Sequence, residues 1–371
     1  MAAVAPKVPS NHKAAVYDKP GTISTKIITV DTPEPGPGEV LIKLYGEISL
    51  TFAGFQFSRM HPMIELMLMC DRTHSGVCHS DLGVMTNSWR VLPYPVPEGQ
   101  VGGHEGVGRV VKMGPGVDSS GIKINDRVGV KWISSACGRC STFQQYVLGP
   151  AAYVTPIPDG LDSAEAAPLL CAGLTAYSAL LRSRARPGNW VVISGAGGGL
   201  GHLACQIASK AMGLRVIGID QGTKGEIIME SGAEHFVDVT RFSQDDGISN
   251  HVKSLADGLG VDAVIVCTGS NHAYRQSTGF LRFSGTVVCV GVPEGALIPI
   301  AGACPSALVV QNQSIVGSAV GNQREAAEVL DFAARGILKA HVEIRKLEDL
   351  TKAFEDLGAG NLRGRIVVDL S

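Results

Sequence analysis

The sequence predicts an α/β protein built from a strand-rich, barrel-like first domain and a doubly wound parallel sheet with helices on both faces. Three observations predict it. The first half sets short apolar runs between Pro and Gly, as in Pro33 to Lys43, Gly108 to Gly114 and Asp126 to Trp132, the pattern of short strands joined by turns. Beyond Pro187 the runs Trp190 to Ser194, Leu214 to Ile219, Asp262 to Cys267 and Thr286 to Gly291 are β-branched and do not alternate, as buried parallel strands require. Helical stretches at 200–212, 224–231, 250–259 and 271–281 lie between or after those runs, and strand followed by helix, repeated, gives a parallel sheet.

At about 150 residues per domain, 371 residues imply two domains. The division expected is 1–186, 187–321 and a C-terminal segment 322–371, whose helix near 322–335 and strand near Arg365 return to the first domain. One stretch, 45–72, fits nothing around it: it is rich in Met and Phe, poor in turn residues, and interrupts a strand.

Composition narrows the function. Lys plus Arg number 32 and Asp plus Glu 34, a formal charge of -2, which offers no electrostatic basis for binding nucleic acid or an anionic membrane. A small neutral substrate fits better. With 45% hydrophobic and 18% charged residues the chain has an ordinary globular composition, far from disorder. No run reaches the ~20 apolar residues of a membrane span, and the start lacks the basic head and apolar run of a secretory signal. The nine cysteines are therefore expected as core thiols or metal ligands in a reducing cytoplasm rather than as disulfides.

Two clusters carry chemistry. Ser194 to Gly201 reads Ser-Gly-Ala-Gly-Gly-Gly-Leu-Gly, following a buried strand and opening a helix. Gly195, Gly197, Gly198, Gly199 and Gly201, with Leu200 among them, let backbone amides approach a pyrophosphate at a helix N-terminus. Asp220 ends the next strand, 19 residues after Gly201, where a carboxylate accepts from an adenosine ribose and repels a 2′-phosphate, favouring NAD over NADP; Lys224 has the reach for the ribose too, although a lone lysine is as often simply solvated. The second cluster is Cys78, His104-Glu105 and Cys171. Two thiolates and an imidazole leave a fourth position open, as catalytic rather than structural zinc requires, although spacing alone also allows Cys171 to be a core thiol.

Together these clusters resemble the zinc-dependent alcohol dehydrogenases of the medium-chain dehydrogenase/reductase family, particularly the fungal tetrameric type. The resemblance runs through Gly-Val-Cys-His-Ser-Asp-Leu (76–82), Val-Gly-Gly-His-Glu-Gly (101–106), Leu-Leu-Cys-Ala-Gly (169–173), the glycine turn and Gly-Arg-Ile-Val-Val-Asp (364–369). It implies a GroES-like catalytic domain with a Rossmann domain, and zinc-dependent, reversible oxidation of a primary or secondary alcohol with hydride transfer to NAD. Carried over by residue, it makes Cys78, His104 and Cys171 the zinc ligands, Glu105 a transient one and Asp81 the acid orienting His104. His79 and Arg365 become pyrophosphate contacts, Ser80 the hydroxyl that takes the alcohol proton, and Val290 to Val292 neighbours of the nicotinamide. Trp89 matches a tryptophan of the alcohol pocket, and Met85 stands where a bulky aromatic is often found, giving a wider pocket for a short-chain alcohol. Relatives form dimers or tetramers, so a homo-oligomer is expected.

The sequence departs from the pattern three times. Gly83 stands where the family usually has a histidine ending the proton relay, so water must finish it. Cys137 and Cys140 begin a four-cysteine structural site whose other two ligands are missing, so no structural zinc is expected. The 45–72 segment replaces a short connection, and with the missing lobe it suggests a translated intron and a skipped exon. Two rival readings stay open: a zinc-free quinone or enoyl reductase on the same fold, and a dinucleotide-binding protein that has lost catalysis.

Overall fold

The computed structural model describes residues 7–44, 73–89, 95–132, 141–360 and 362–371. The expectations for the 45–72 segment and for Cys137 and Cys140 fall outside the described residues.

The chain opens with an antiparallel hairpin of β1 (Asn11–Tyr17) and β2 (Thr25–Asp31). β3 (Glu39–Lys43), β4 (His74–Val77), β5 (Gly106–Met113), β6 (Arg127–Val130), β7 (Tyr146–Pro150) and β8 (Thr155–Pro156) then build most of an eight-stranded sheet. β5 pairs through Gly106 to Arg109 with β6 and through Arg109 to Met113 with β3. It thereby turns a corner, and the described strands branch there rather than closing on themselves. Helix α1 (His79–Met85) leaves β4 at once. Tyr17, Ile42, Phe143 and Phe354 fill the core beneath.

A long helix, α2, runs Ser163–Ser183. Asp162 caps its start by accepting from the amides of Ala164 and Glu165. It is long and apolar enough to cross a bilayer by length and composition, but 89% of its most apolar window is buried inside the protein. Pro168 has no amide proton to donate, and directly after it the helix widens into a π turn over Leu169–Gly173, a feature that recurs at functional sites.

The second sheet is wholly parallel in the order β11-β10-β9-β12-β13-β14, from β9 (Trp190–Ser194), β10 (Arg215–Asp220), β11 (His235–Asp238), β12 (Val261–Val266), β13 (Leu281–Cys289) and β14 (Ser314–Gly317). Val191, Val192 and Ile193 have no exposed surface, each stabilising the fold by about 1.5–3 kcal/mol through burial. The helices are α3 (Gly201–Gln206, continued by a π turn to Ala211), α4 (Gly225–Glu230), α5 (Asp245–Leu255) and α6 (Asn271–Phe280). α5 begins five residues before the expected start at 250, because Asp245 and Asp246 supply its favourable acidic first turn. β11, β14, and the helices α7 (Pro305–Gln311) and α9 (Leu350–Gly358) were not read from the sequence. Strand order reverses between β9 and β12, the switch point where such sheets bind ligands.

After α8 (Gln323–Ala334), capped reciprocally by Asn322 and Glu325, the chain returns to the first sheet. There β15 (Val342–Lys346) and β16 (Arg365–Asp369) pair in parallel, and β16 runs antiparallel to β4 with Ile366 opposite Val77. This register sets Arg365 beside Cys78.

His202 on α3 links the return to the second sheet. Its Nε2 accepts from the His341 amide at 3.3 Å, so its Nδ1 carries the proton given to the Gly198 carbonyl at 2.9 Å. Burial lowers its pKa to about 4. The unfolded ring titrates near 6.5, so between those values the unfolded state binds more protons and stability falls with falling pH. Chemical denaturation is expected to show about 3 kcal/mol lost from this group between pH 7 and pH 4, and the His202→Gln variant should lose that component of the slope.

Candidate metal centre and coenzyme cleft

Four donors converge where β4, β5 and α2 meet. The sulfurs of Cys78 and Cys171, a ring nitrogen of His104 and a carboxylate oxygen of Glu105 lie within 4.8 Å of one another, and all four residues are buried. Local structure accounts for each. Cys78 is the N-cap of α1, and its amide donates to Asp81 Oδ2 at 3.1 Å. His104 and Glu105 precede β5 after Gly103, whose φ of 87° suits glycine. Cys171 sits in the π turn of α2.

Asp81 ties the group together, its Oδ1 accepting from the Gly103 amide at 3.2 Å and from His104 Nδ1 at 3.0 Å. A carboxylate only accepts, so Nδ1 holds the proton and Nε2, 3.3 Å from Cys171 Sγ, faces the cluster. Glu105 has room because residue 76 is glycine: a Cβ there would lie 1.9 Å from Glu105 Oε2. Glu105 Oε1 accepts from Arg365 Nη2 and lies 3.6 Å from His104 Nε2, while Oε2 is buried without a hydrogen-bond partner among the described residues.

The four buried groups strongly shift one another's protonation. The hydrogen bond shared by the two thiols lowers Cys78 well below its ordinary value, aided by Arg365 and His104, and raises Cys171. Burial alone would lower His104, but the charge and hydrogen bond of Asp81, with those of Cys78, outweigh it and hold the ring well above its usual value. Burial raises Glu105 to about 7 against the pull of Arg365. Two sulfurs, an imidazole nitrogen and an orphaned carboxylate oxygen are a donor set that fits Zn²⁺.

The glycine turn after β9 is shaped by close approaches. A Cβ on Gly197 would lie 2.6 Å from the Lys224 side chain, on Gly199 2.7 Å from Arg365 Cδ, and on Gly201 2.0 Å from the Gly195 carbonyl oxygen. Gly195 has φ 81°, and Gly198 is less crowded, 3.3 Å from that same carbonyl oxygen. Asp220 Oδ2 accepts from the Gly197 amide at 2.9 Å, and Lys224 Nζ lies 4.0 Å from Asp220 Oδ1. Leu200 is the N-cap of α3. Val290 and Val292 follow β13, and the Val292 carbonyl lies 2.7 Å from where a Gly269 Cβ would stand. This backbone-lined cradle fits a dinucleotide.

The remaining candidates divide. Ser80 Oγ is 3.5 Å from Cys78 Sγ, whereas His79 Nε2 faces Glu294 Oε1 at 3.1 Å. Trp89 packs 6.2 Å from Trp132, and Trp132 meets the His104 ring edge-on at 4.7 Å. Met85 has no exposed surface and belongs to the core of the first sheet. Trp132 was missed; it ends a strand-like run, and nothing in the spacing ties it to His104.

A zinc-binding dehydrogenase family model matches residues 199–335, and an alcohol dehydrogenase GroES-like domain model matches residues 69–159. Alcohol dehydrogenase 2 of Emericella nidulans is 56% identical over 393 aligned positions, covering 99% of this chain and all of that relative. The chain belongs to the zinc-type alcohol dehydrogenases. A further member of the family, the alcohol dehydrogenase of Schizosaccharomyces pombe, is 36% identical over 98% of this chain and 99% of its own. Among solved structures, the alcohol dehydrogenase of Aeropyrum pernix superposes with a TM-score of 0.76 at 25% identity, covering 96% and 99% of the two chains. Acetophenone reductase from Geotrichum candidum in complex with NAD gives 0.74 at 26%, covering 98% of both.

Proposed function

We propose that this alcohol dehydrogenase oxidises a short-chain primary or secondary alcohol with NAD, using one catalytic zinc held by Cys78, His104 and Cys171. The observation that carries this is the side chain shared by the two sites: Arg365 lies against Gly199 of the glycine turn while its Nη1 is 3.9 Å from Cys78 Sγ. A donor cluster and a glycine-lined cradle joined by one guanidinium support a reading in which metal and coenzyme act side by side. When bound, Zn²⁺ supplies Lewis acidity that makes an alcohol hydroxyl acidic near neutral pH, and NAD supplies the two-electron acceptor.

The protein's own residues do the rest. Asp81 orients His104, and Ser80 receives the alcohol proton. Glu105, whose second oxygen is unpartnered, serves as a transient fourth ligand. Arg365 and His79 meet the pyrophosphate, Asp220 the ribose with Lys224 beside it, and the turn from Gly195 to Gly201 the phosphates. Val290 and Val292 line the nicotinamide side. Trp89 and Trp132 wall the pocket beside His104, which supports a small substrate. The expected division into 1–186, 187–321 and a returning 322–371 segment, a cytoplasmic homo-oligomer, and one zinc per chain complete the reading; the described cysteines are all free thiols.

Purified protein should form NADH from NAD and ethanol, lose that activity with a chelator and contain one zinc per chain. No turnover across an alcohol panel despite bound NAD would overturn the reading in favour of a dinucleotide-binding protein.

Gly83 supplies a separate test. A Cβ there would lie 2.5 Å from Trp89 Nε1, a buried group with no hydrogen-bond partner among the described residues. The indole fills the space of any side chain at position 83, so Gly83→His is expected to displace it rather than complete a relay. Steady-state kinetics should show KM for ethanol rising roughly 5–30-fold, the effect of a misplaced pocket wall worth about 1–2 kcal/mol.

A further inference from the structure

The loop after β13 crosses from the second sheet to the first domain. Gly291 is anchored at home, its amide bonded to the Val266 carbonyl at 2.9 Å and its carbonyl to Tyr274 Oη at 2.5 Å. Further along, the Gly295 amide donates to the Ser88 carbonyl at 3.2 Å, and the Glu294 carboxylate takes His79 Nε2 at 3.1 Å. Both groups of that pair are about half exposed, 54% for His79 and 44% for Glu294, so the pair is not there to hold the core.

A ring nitrogen makes one hydrogen bond to one acceptor. A pyrophosphate oxygen can reach His79 Nε2 only by displacing Glu294, and the displaced carboxylate, tethered through Gly295 to Ser88, stays close to the arriving dianion. We propose that Glu294 is a determinant of coenzyme affinity and release: it competes with the dinucleotide's pyrophosphate for His79 and repels it once bound. This rests on the reading of His79 as a phosphate contact. An exposed pair and one like-charge contact near the surface together amount to roughly 3–10-fold in binding.

The test uses the intact protein and its Glu294→Gln variant, which keeps the shape and removes the charge. NADH and ADP-ribose binding are measured by fluorescence and calorimetric titration, and NADH release by stopped flow, with adenosine as the ligand lacking phosphate. Glu294→Gln should tighten NADH and ADP-ribose roughly 3–10-fold, slow NADH release by a similar factor and leave adenosine affinity unchanged. Wild-type binding of ADP-ribose that is not tightened in the variant overturns the role of Glu294 while leaving the coenzyme cleft intact. An equal change with adenosine overturns it as a general effect on the loop. Failure of the wild type to bind either NADH or ADP-ribose removes the cleft reading and this one together.

Discussion

Replacing His104 by alanine is expected to lower kcat/KM for alcohol oxidation by roughly 10³–10⁴-fold, the several kcal/mol that a Lewis-acidic metal contributes, and to leave the purified protein without zinc. The imidazole is the donor whose direction is set most strictly, because Asp81 binds Nδ1 at 3.0 Å and so presents Nε2 to the two sulfurs. Without the ring, two thiols and Glu105 remain, and Glu105 is engaged by Arg365. The Asp81 carboxylate would also lose one of its three hydrogen bonds among the described residues, destabilising the fold by about 1–3 kcal/mol. Metal analysis and NADH formation decide the point. Chelation of the wild type should reproduce the loss and added zinc restore it, whereas zinc should not rescue His104→Ala. A variant that keeps full zinc and activity would show that the cluster is not the catalytic centre.

Gly201→Ala is expected to be nearly as damaging, through the backbone. The added methyl would stand 2.0 Å from the Gly195 carbonyl oxygen and 2.6 Å from Ala196 Cα. Neither is the end of a flexible side chain, so no change of rotamer relieves the contact and the turn must move away from α3. Overpacking against fixed backbone costs about 3 kcal/mol or more. The same movement shifts the amides that cradle the phosphates, so NADH affinity should fall at least ~100-fold, about the worth of two lost hydrogen bonds to a charged group. Urea denaturation and NADH fluorescence titration measure the two effects. Gly198→Ala is the control, since its Cβ would come no closer than 3.3 Å, and it should be tolerated far better in stability.

Much of the second sheet was legible in the sequence because its strands are buried on both faces and therefore write long β-branched runs. Val191 to Ile193 and Val264 to Val266 have no exposed surface. β11 and β14 were not legible: they flank the sheet, and their burial is partial, so their four-residue runs carry little pattern. The start of α5 was misplaced because its acidic first turn lies ahead of its apolar face. At the metal cluster, the residue types of Cys78, His104 and Cys171 pointed to zinc, but Cys171, in an apolar run, read by spacing alone more readily as a core thiol, and only the family resemblance reversed that. Its place in a π turn after Pro168 depends on packing across α2. The burial of Met85 was not legible for the same reason: spacing along α1 does not say which face meets the core.

By itself the sequence determined what is local: the glycines that permit close backbone approach, the acid that ends β10, and the donors able to bind a metal cation. Tertiary structure alone decided what stands beside what. It set Arg365 against Cys78 through the pairing of β16 with β4, filled the space over Gly83 with Trp89, leaned Trp132 on His104 and brought Glu294 to His79. The contacts of Arg365 and Glu294 join residues more than 200 positions apart in the chain, and all of these distances follow from strand register and packing, quantities that no single stretch of sequence encodes.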